Sequence, residues 1–409
     1  MKHYMNYKDS GIPWVENIPA EWKVYPAGKV FEEVKHKNKD NLPYTALSFR
    51  YGEIVDKKVH GSSEEEPNEV LSAYTIVQPG TIMLNGLNLN YDFITQRVAI
   101  VRKEGIITSA YLAVKPDGKL IVPEYANYLL KSYDYKMVFH GIGSGIRKTL
   151  KYSDFRSIYV PLPSLEEQKV IVEYLDSQVS QIESIIEEAK ISVEEYKKWK
   201  ASTIFEAVTK GVDPNCELKD SNVEWIGKVP KEWKITTLKH LCSMQAGKNL
   251  TTEQILDEGM FSVYGGNGIR GYYNSYNNDG DFVLVGRQGA LCGNVHLVQG
   301  KFWATEHAVV TACKDNTNIN YLYYLLIGMN LNQYASNAAA QPGLSVGTVL
   351  NIKTVLPPKE TQISIATMLT ERCKAIDELI EEKENLVSDL ELYKRSLIYE
   401  VVTGKRKVV

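Results

Sequence analysis

The chain has 409 residues, of which 44% are hydrophobic and 24% are charged, and its formal net charge is -3. These proportions exclude a fibrous or disordered protein and leave room for two or three compact domains. A net charge so close to zero also excludes a uniformly basic surface, so any nucleic-acid-binding surface would have to be local.

The amino-terminal residues MKHYMNYKDS are polar, and the sequence has no stretch of about 18 apolar residues that could span a membrane. We therefore predict a cytoplasmic protein with no membrane partner. The cysteines stand far apart without a C-x-x-C pair, which predicts reduced thiols, no disulfide framework and no metal site. They are Cys216, Cys242, Cys292, Cys313 and Cys373.

The sequence begins with a segment that occurs twice. Residues 8–23 read KDSGIPWVENIPAEWK, and residues 219–234 read KDSNVEWIGKVPKEWK. At a shift of 211 positions, eight of the sixteen residues are identical, including Trp22 and Trp233. Internal repeats of this kind indicate equivalent structural units. We predict two equivalent segments, at residues 1–22 and 212–233.

Each segment is followed by a variable body, at residues 23–160 and at residues 234–355. In the first body, Thr81 to Leu84 is predicted as a short strand and Glu124 to Val138 as a helix. In the second, Asp281 to Val285 is predicted as a strand. We predict that each body is an α/β domain with long irregular loops.

Two long helices are predicted, one in residues 161–211 and one in residues 356–409. Their starts, LPSLEEQ and LPPKETQ, match at a shift of 194 positions. A capping-box pattern, Ser164 with Glu167, favours the first start, and the Pro357-Pro358 pair marks the second.

Apolar residues recur along both helices in steps of four and three, which is the pattern of a coiled-coil seam. We predict that the two seams pack antiparallel into a rod of roughly 60 Å, at about 1.5 Å per residue. The alternative is that each helix packs only on its own body. The seam has one exception, Lys383. Its predicted residues are Leu175, Val179, Ile182, Ile186, Val193 and Tyr196, matched by Leu369, Ile376, Ile380, Val387 and Leu390.

The overall prediction is an α+β protein with two α/β bodies separated by two long antiparallel helices. Because both halves have the order segment, body and helix, we expect a pseudo-twofold internal repeat.

The sequence shows no recognisable catalytic constellation. The glycine pattern GNGIRG at Gly266 is followed by residues that cannot open the helix that a dinucleotide site requires. Glu306-His307 lacks the second histidine of a zinc protease helix. The E-x-K runs at Glu195 and Glu381 fall on the predicted helices, where solvated charges are expected. We therefore predict no catalytic residue and no cofactor in this chain.

Four loops, two in each body, combine glycines with polar side chains that can contact DNA. They are NGLNLNYD (85–92), GIGSGIRKTLK (141–151), YGGNGIRGYYN (264–274) and GRQGALCGN (286–294). Asn and Gln can pair with adenine, Arg with guanine and Lys with phosphate. Any one loop alone is equally typical of ordinary turns. The candidate DNA-binding residues are Asn85, Asn88, Asn90, Tyr91, Arg147, Lys148, Lys151, Asn267, Arg270, Tyr272, Arg287 and Gln288.

The order of constant and variable segments resembles the DNA-specificity subunit of type I restriction-modification systems. The resemblance is carried by VENIPAEWK and IGKVPKEWK, by the LP…Q helix starts at residues 162–168 and 356–362, and by the loops VYGGNGIRGYY and LVGRQGALCG. It implies that the two bodies are target-recognition domains, each recognising one half of an asymmetric double-stranded DNA target.

The same resemblance implies that the helices act as a ruler between the two half-sites and as a platform for two modification subunits. Those methyltransferase subunits would carry S-adenosylmethionine, and restriction subunits using ATP and Mg would join the same core. Two alternatives remain from the residues themselves. One is a stand-alone nuclease, which would cleave DNA when supplied with magnesium, and the other is a structural adaptor that does not bind DNA.

Overall fold

The computed structural model describes residues 3–57, 68–93, 96–289, 292–336 and 343–408. The chain forms two compact units, one of residues Met1–Ala189 with Leu386–Val409 and one of residues Lys190–Asn385. Each unit contains one repeated segment, one variable body and a part of both long helices. Each long helix therefore contributes residues to both units, whereas each predicted domain boundary kept a long helix within one domain.

The first unit contains a four-stranded antiparallel sheet with α3 (Pro123–Tyr135) packed on two of its strands. The strands, in order across the sheet, are β4 (Phe31–Glu33), β11 (Leu112–Pro116), β8 (Ile82–Leu84) and β9 (Val98–Ile100), and α3 lies on β8 and β9. Its strands are β1 (Tyr7–Asp9), β2 (Asn17–Pro19), β3 (Lys23–Pro26), β4 (Phe31–Glu33), β5 (Leu47–Arg50), β6 (Glu53–Asp56), β7 (Thr75–Val77), β8 (Ile82–Leu84), β9 (Val98–Ile100), β10 (Gly105–Ile107), β11 (Leu112–Pro116) and β12 (Tyr159–Leu162). Its helices are α1 (Ala27–Val30), α2 (Asn68–Ser72), α3 (Pro123–Tyr135), α4 (Val138–Ile142) and α5 (Tyr152–Phe155), followed by the start of α6 (Leu165–Lys210).

The helix predicted from Glu124 to Val138 is the structure's α3, but it ends at Tyr135. The proline at position 123 suits the first helical turn, where its missing N–H is not needed. The helix stops early because Met137 adopts a left-handed conformation, with φ of 55°, before α4 begins. The predicted strand from Thr81 begins one residue later, as β8.

The second unit repeats this arrangement, with a four-stranded antiparallel sheet and α7 (Ile319–Gly328) packed on it. The strands, in order across the sheet, are β16 (Cys242–Ala246), β23 (Ala308–Cys313), β20 (Phe282–Gly286) and β21 (Val295–Val298), and α7 lies on β20 and β21. Its strands are β13 (Leu218–Asp220), β14 (Lys228–Pro230), β15 (Lys234–Thr237), β16 (Cys242–Ala246), β17 (Phe261–Gly265), β18 (Gly268–Tyr273), β19 (Asn278–Asp279), β20 (Phe282–Gly286), β21 (Val295–Val298), β22 (Lys301–Ala304), β23 (Ala308–Cys313) and β24 (Lys353–Leu356). Its helices are α7 (Ile319–Gly328), α8 (Val346–Leu350) and α9 (Lys359–Val402), with 3-10 turns at Leu238–His240, Thr252–Gln254 and Leu331–Tyr334.

The second unit also has a sheet in the order β18-β17-β22-β19, in which β17 and β22 run parallel. The predicted strand from Asp281 to Val285 is β20, shifted by one residue at each end.

The repeated segments form two hairpins with the same register. Tyr7 lies opposite Pro19 in the first, and Leu218 lies opposite Pro230 in the second. Lys8 Nζ donates to the Ala20 carbonyl oxygen at 2.7 Å, and Lys219 Nζ donates to the Lys231 carbonyl oxygen at 2.7 Å.

Each hairpin packs against the end of a long helix at a glycine with a left-handed backbone. Gly404 has φ of +74°, and a β-carbon there would lie 3.3 Å from Trp22 Cη2 in the first unit. Gly211 has φ of +81°, and a β-carbon there would lie 3.2 Å from Trp233 Cζ2 in the second. Glycine is the residue that adopts this conformation without strain. The repeated sequence therefore builds the same helix end twice.

Within each unit, α6 and α9 run antiparallel. In the second unit, Lys200 Nζ lies 2.6 Å from Asp377 Oδ2, and Lys197 Nζ lies 3.8 Å from Glu384 Oε1. In the first unit, Lys394 Nζ lies 3.4 Å from Glu183 Oε1.

The predicted seam residues are mostly buried. Leu175, Val179, Ile182, Ile186, Val193, Leu369 and Ile376 are buried, and Tyr196, Ile380, Val387 and Leu390 are half-buried, as is Lys383. In the first unit, seam residues of α6 belong to the same hydrophobic cluster as the α3 residues Tyr125 and Leu129. The helices therefore pack both on each other and on the bodies. The fold class, α+β with two α/β bodies, long antiparallel helices and an internal repeat, is confirmed.

The glutamine of each LP…Q start is a buried connector between a long helix and a body. Gln168 Oε1 accepts from the Val122 N–H at 2.8 Å, and its Nε2 donates to the carbonyl oxygens of Leu120 (2.9 Å) and Pro163 (3.1 Å). Gln362 repeats this pattern. Its Oε1 accepts from the Asn318 N–H at 2.8 Å, and its Nε2 donates to the carbonyl oxygens of Asn316 (3.0 Å) and Pro357 (2.9 Å).

We expect Gln168→Ala and Gln362→Ala each to lower the free energy of unfolding by about 3 kcal/mol, because each leaves buried backbone groups without partners. The measurement is urea denaturation followed by tryptophan fluorescence. Gln181→Ala is the matched control, since Gln181 is exposed on α6 and should cost less than about 0.5 kcal/mol. Equal midpoints for Gln168→Ala and Gln181→Ala would contradict the connector role.

Candidate nucleic-acid interface

The two predicted loops of the first body lie side by side. The Leu89 N–H donates to the Lys148 carbonyl oxygen at 3.0 Å, and the Leu150 N–H donates to the Gly86 carbonyl oxygen at 2.9 Å. Asn90 Nδ2 donates to the Ile146 carbonyl oxygen at 3.2 Å. Residues that are more than fifty positions apart in the sequence therefore form one surface.

The predicted residues of this surface fall into two groups. Asn85 and Asn90 are half-buried and shape the loop, since Asn85 Oδ1 accepts from the Leu87 N–H at 3.3 Å and Asn90 reaches the second loop. The other five are exposed and can contact a ligand. They are Asn88, Tyr91 (71% exposed), Arg147, Lys148 and Lys151.

Arg97, which was not predicted as a site residue, holds the first of these loops from beneath. Its side chain is 1% exposed, and Nη1 donates to the carbonyl oxygens of Asn85 and Leu87, both at 2.8 Å. Nη2 donates to the Asp92 carbonyl oxygen at 2.6 Å and lies 3.4 Å from the Asp92 carboxylate. The fixed fork of a guanidinium suits three acceptors on one turn.

An exposed aromatic residue at the end of this loop was also missed. Phe93 is 57% exposed and stacks on His140, with ring centroids 5.3 Å apart and an interplanar angle of 17°. His140 Nε2 lies 3.0 Å from the Asp92 carbonyl oxygen. The Asn-Tyr-Asp-Phe run was the available signal, because two aromatics in a polar loop favour stacking on a ligand.

The two predicted loops of the second body also lie together. Asn294 Nδ2 donates to Asn267 Oδ1 across them. A β-carbon at Gly266 would lie 3.6 Å from the Gln288 carbonyl oxygen, which is an ordinary contact distance, so the two loops are adjacent at this point.

The predicted side chains of the second body differ in accessibility. Asn267, Arg270 and Gln288 are exposed, whereas Tyr272 and Arg287 are half-buried. The Arg270 stem lies over Gly265, where a β-carbon would be only 2.3 Å from Arg270 Cδ. The Tyr272 N–H donates to the Leu256 carbonyl oxygen at 2.8 Å, so its backbone belongs to a strand pairing.

All five cysteines are free thiols, and Cys242, Cys292 and Cys373 are buried. Burial raises the pKa of Cys242 to about 12. In the part of the chain that the structure describes, no group of three or more His, Cys, Asp or Glu side chains could hold a metal ion. No helix among the same residues is both long and apolar enough to cross a membrane.

Comparison with known proteins bears on what this pair of bodies does. The family profile described as "Type I restriction modification DNA specificity domain" matches residues 21–195 and 230–388. The type I restriction enzyme EcoprrI specificity subunit of Escherichia coli is 45% identical over 142 residues, which is 34% of this chain and 35% of that protein. The MjaVIII specificity subunit of Methanocaldococcus jannaschii is 24% identical over 421 residues, covering 96% of this chain and 94% of that protein.

Two solved structures share the fold. A chain from a study of complex assembly and conformational transition of the type I R-M system has a TM-score of 0.72 at 14% identity, covering 94% of this chain and 98% of that chain. The HsdS subunit from Thermoanaerobacter tengcongensis has a TM-score of 0.52 at 14% identity, covering 95% and 98%. The family predicted from the repeated segments and helix starts is confirmed. The chain belongs to the family of type I restriction-modification DNA specificity proteins.

Proposed function

We propose that this chain, a DNA-specificity subunit of a type I restriction-modification complex, recognises a two-part asymmetric DNA target and docks two methyltransferase subunits. Each body would recognise one half of the target. The observation that carries the proposal is that both bodies present two adjacent loops with exposed polar side chains, while the flanking segments and helices repeat. Repeated flanks suit two identical partners, and different bodies suit two different half-sites.

The exposed side chains have the chemistry that DNA recognition needs. Asn88 can form paired hydrogen bonds with a base edge, Gln288 can form a single hydrogen bond there, and Arg147 and Arg270 can form paired hydrogen bonds with guanine. Lys148 can bind phosphate. These groups bind rather than react, which supports a non-catalytic role for the chain.

Exposed apolar side chains at equivalent helix positions support two docking surfaces. At the shift of 194, Trp199 (54% exposed) corresponds to Tyr393 (46%), and Ile185 (46%) corresponds to Leu379 (37%). Large exposed apolar side chains are typical of protein-protein interfaces, and aromatic ones often contribute most of the binding energy.

The remaining chemistry is assigned to partners. The methyltransferase subunits would supply S-adenosylmethionine, and restriction subunits that join the complex would supply ATP-dependent and magnesium-dependent steps. Because such a complex would act on chromosomal DNA, the proposal includes a cytoplasmic location.

The experiment that tests this function is single-molecule sequencing of modified bases in cells carrying the methyltransferase subunit, with and without this chain. We expect a split sequence motif with one methylated adenine in each half, appearing only when the chain is present. Replacing residues 234–355 by another recognition body should change one half of the motif. Change in both halves would contradict the assignment of one half to each body.

Two outcomes would favour the alternatives. DNA cleavage by the purified chain with magnesium alone would favour a nuclease. No DNA binding by the reconstituted complex at low salt, where phosphate contacts are strongest, would favour a structural adaptor.

A further inference from the structure

The side chain of Gln288 is bound by His307, which the sequence analysis considered only as part of an incomplete zinc-binding motif. His307 Nδ1 lies 2.9 Å from Gln288 Oε1, and His307 Nε2 lies 3.2 Å from Glu306 Oε1. The three side chains form a continuous row, with Gln288 exposed at its outer end.

The partners of the imidazole determine where its hydrogens are. An amide oxygen is an acceptor only, so the ring nitrogen that faces Gln288 Oε1 must carry a hydrogen. His307 Nδ1 therefore donates to Gln288 Oε1. Glu306 lies at the Nε2 side of the ring, and its Oε2 is buried without a hydrogen-bond partner among the described residues.

The backbone around Gln288 is fixed, so the amide can change its presentation only by turning. The Arg287 N–H donates to the His307 carbonyl oxygen at 2.9 Å, and the Leu344 N–H donates to the Arg287 carbonyl oxygen at 2.9 Å.

We propose that His307 is a positioning residue that determines specificity, because it binds the amide oxygen of Gln288 and so turns the Gln288 NH2 group outward as a hydrogen-bond donor. This inference rests on the proposed function, in which the second body recognises a half-site. An outward NH2 can donate to guanine O6 or N7, thymine O4 or adenine N7. An outward oxygen would instead accept from adenine N6 or cytosine N4. His307 thus selects between two classes of base edge.

The test uses substitutions at position 307 that differ in hydrogen-bonding role. His307→Lys supplies only donors and should keep the wild-type motif. His307→Asp supplies only acceptors, so it should turn the amide around and change the preferred base at one position. His307→Ala removes the partner and should reduce base discrimination at that position about tenfold, since a good base contact contributes about 1–3 kcal/mol. Gln288→Ala identifies the position independently.

The measurement is modified-base sequencing of cells carrying each full-length variant with the methyltransferase subunit, and the other half of the motif is the internal control. Support requires that His307→Asp and Gln288→Ala affect the same single position and that His307→Lys preserves it. An unchanged motif in every position-307 variant, or in Gln288→Ala, would overturn the inference. So would equal loss of methylation in His307→Lys and His307→Ala, which indicates a structural role that does not distinguish a donor. A wild-type chain that directs no methylation would instead contradict the proposed function itself.

Discussion

Arg97→Ala should abolish recognition of the half-site assigned to the first body and lower the free energy of unfolding by about 3–5 kcal/mol, as expected when a buried, hydrogen-bonded charge is removed. The substitution leaves the carbonyl oxygens of Asn85, Leu87 and Asp92 without their donor. The loop that carries the exposed Asn88 and Tyr91 then loses its support. Urea denaturation measures the stability, and modified-base sequencing measures the recognition.

Two matched variants separate stability from DNA contact. Arg97→Lys keeps the charge but lacks the planar fork, so it should also lose recognition. Arg147→Ala removes an exposed side chain of the same surface, so it should weaken methylation while leaving the urea midpoint unchanged. Full recognition by Arg97→Ala would show that the loop does not depend on this side chain.

The Arg97 effect should depend on pH through Asp134, which accepts from the backbone N–H of Arg97 at 2.8 Å. Burial raises the pKa of Asp134 to about 6, and the backbone N–H and the side-chain charge of Arg97 oppose that rise. A protein with a carboxyl whose pKa is higher in the folded state than in the unfolded chain loses stability as the pH rises through the folded pKa. Alanine keeps the backbone N–H but removes the charge, so the ionised form becomes less favourable still. The difference between wild type and Arg97→Ala should therefore be larger at about pH 7.5 than at about pH 5.

Gly404→Ala should lower the free energy of unfolding by about 3 kcal/mol or more, because it combines backbone strain with a collision. Its φ is +74°, and a β-carbon would lie 2.3 Å from Pro19 Cδ and 3.3 Å from Trp22 Cη2. Hydrogen-deuterium exchange should speed up in β2 and in the last turn of α9. Thermal unfolding of the full-length chain provides the global measurement.

Gly11→Ala is the control for backbone strain alone. Gly11 has a similar φ, +68°, but a β-carbon there would have no atom within 4 Å. It should therefore cost only about 1 kcal/mol. Equal losses at Gly404 and Gly11 would mean that the closeness of Pro19 and Trp22 to Gly404 adds no cost beyond backbone strain.

The parts of this protein that the sequence predicted are those governed by local pattern. Steps of four and three predicted that Leu175 and Ile376 lie on buried helix faces. The repeated sequence predicted two equivalent segments, which the structure shows to be hairpins. The loops were predicted for the same reason, since glycine and carboxamide clusters mark turns that can approach a ligand. The sequence did not predict that each pair of loops lies together. That arrangement depends on backbone hydrogen bonds between distant residues, such as Leu89 with Lys148.

The side chains that position the candidate site were not predicted from the sequence, for a related reason. Arg97 follows the loop that it supports, but nothing in Gln96-Arg97-Val98 distinguishes a buried arginine from an exposed one. His307 is nineteen residues from Gln288, and the pairing of β20, which ends just before Gln288, with β23, which begins just after His307, brings the two together. The early end of α3 depends on the conformation of Met137, a residue with no intrinsic preference for the left-handed region.

The packing of the first hairpin on the end of α9 has a consequence for how the protein is made. The Tyr399 hydroxyl donates to the Trp14 carbonyl oxygen at 3.0 Å, and the two residues are 385 positions apart. Domains generally fold as units during synthesis, and contacts between distant residues must wait for the later residue. All residues of the unit Lys190–Asn385 are present before the chain is complete, whereas the core of the first unit includes Leu397, Ile398, Val401 and Val402. A ribosome that stops between residues 385 and 397 therefore releases a chain in which one unit is complete and the core of the other lacks its last helical turns.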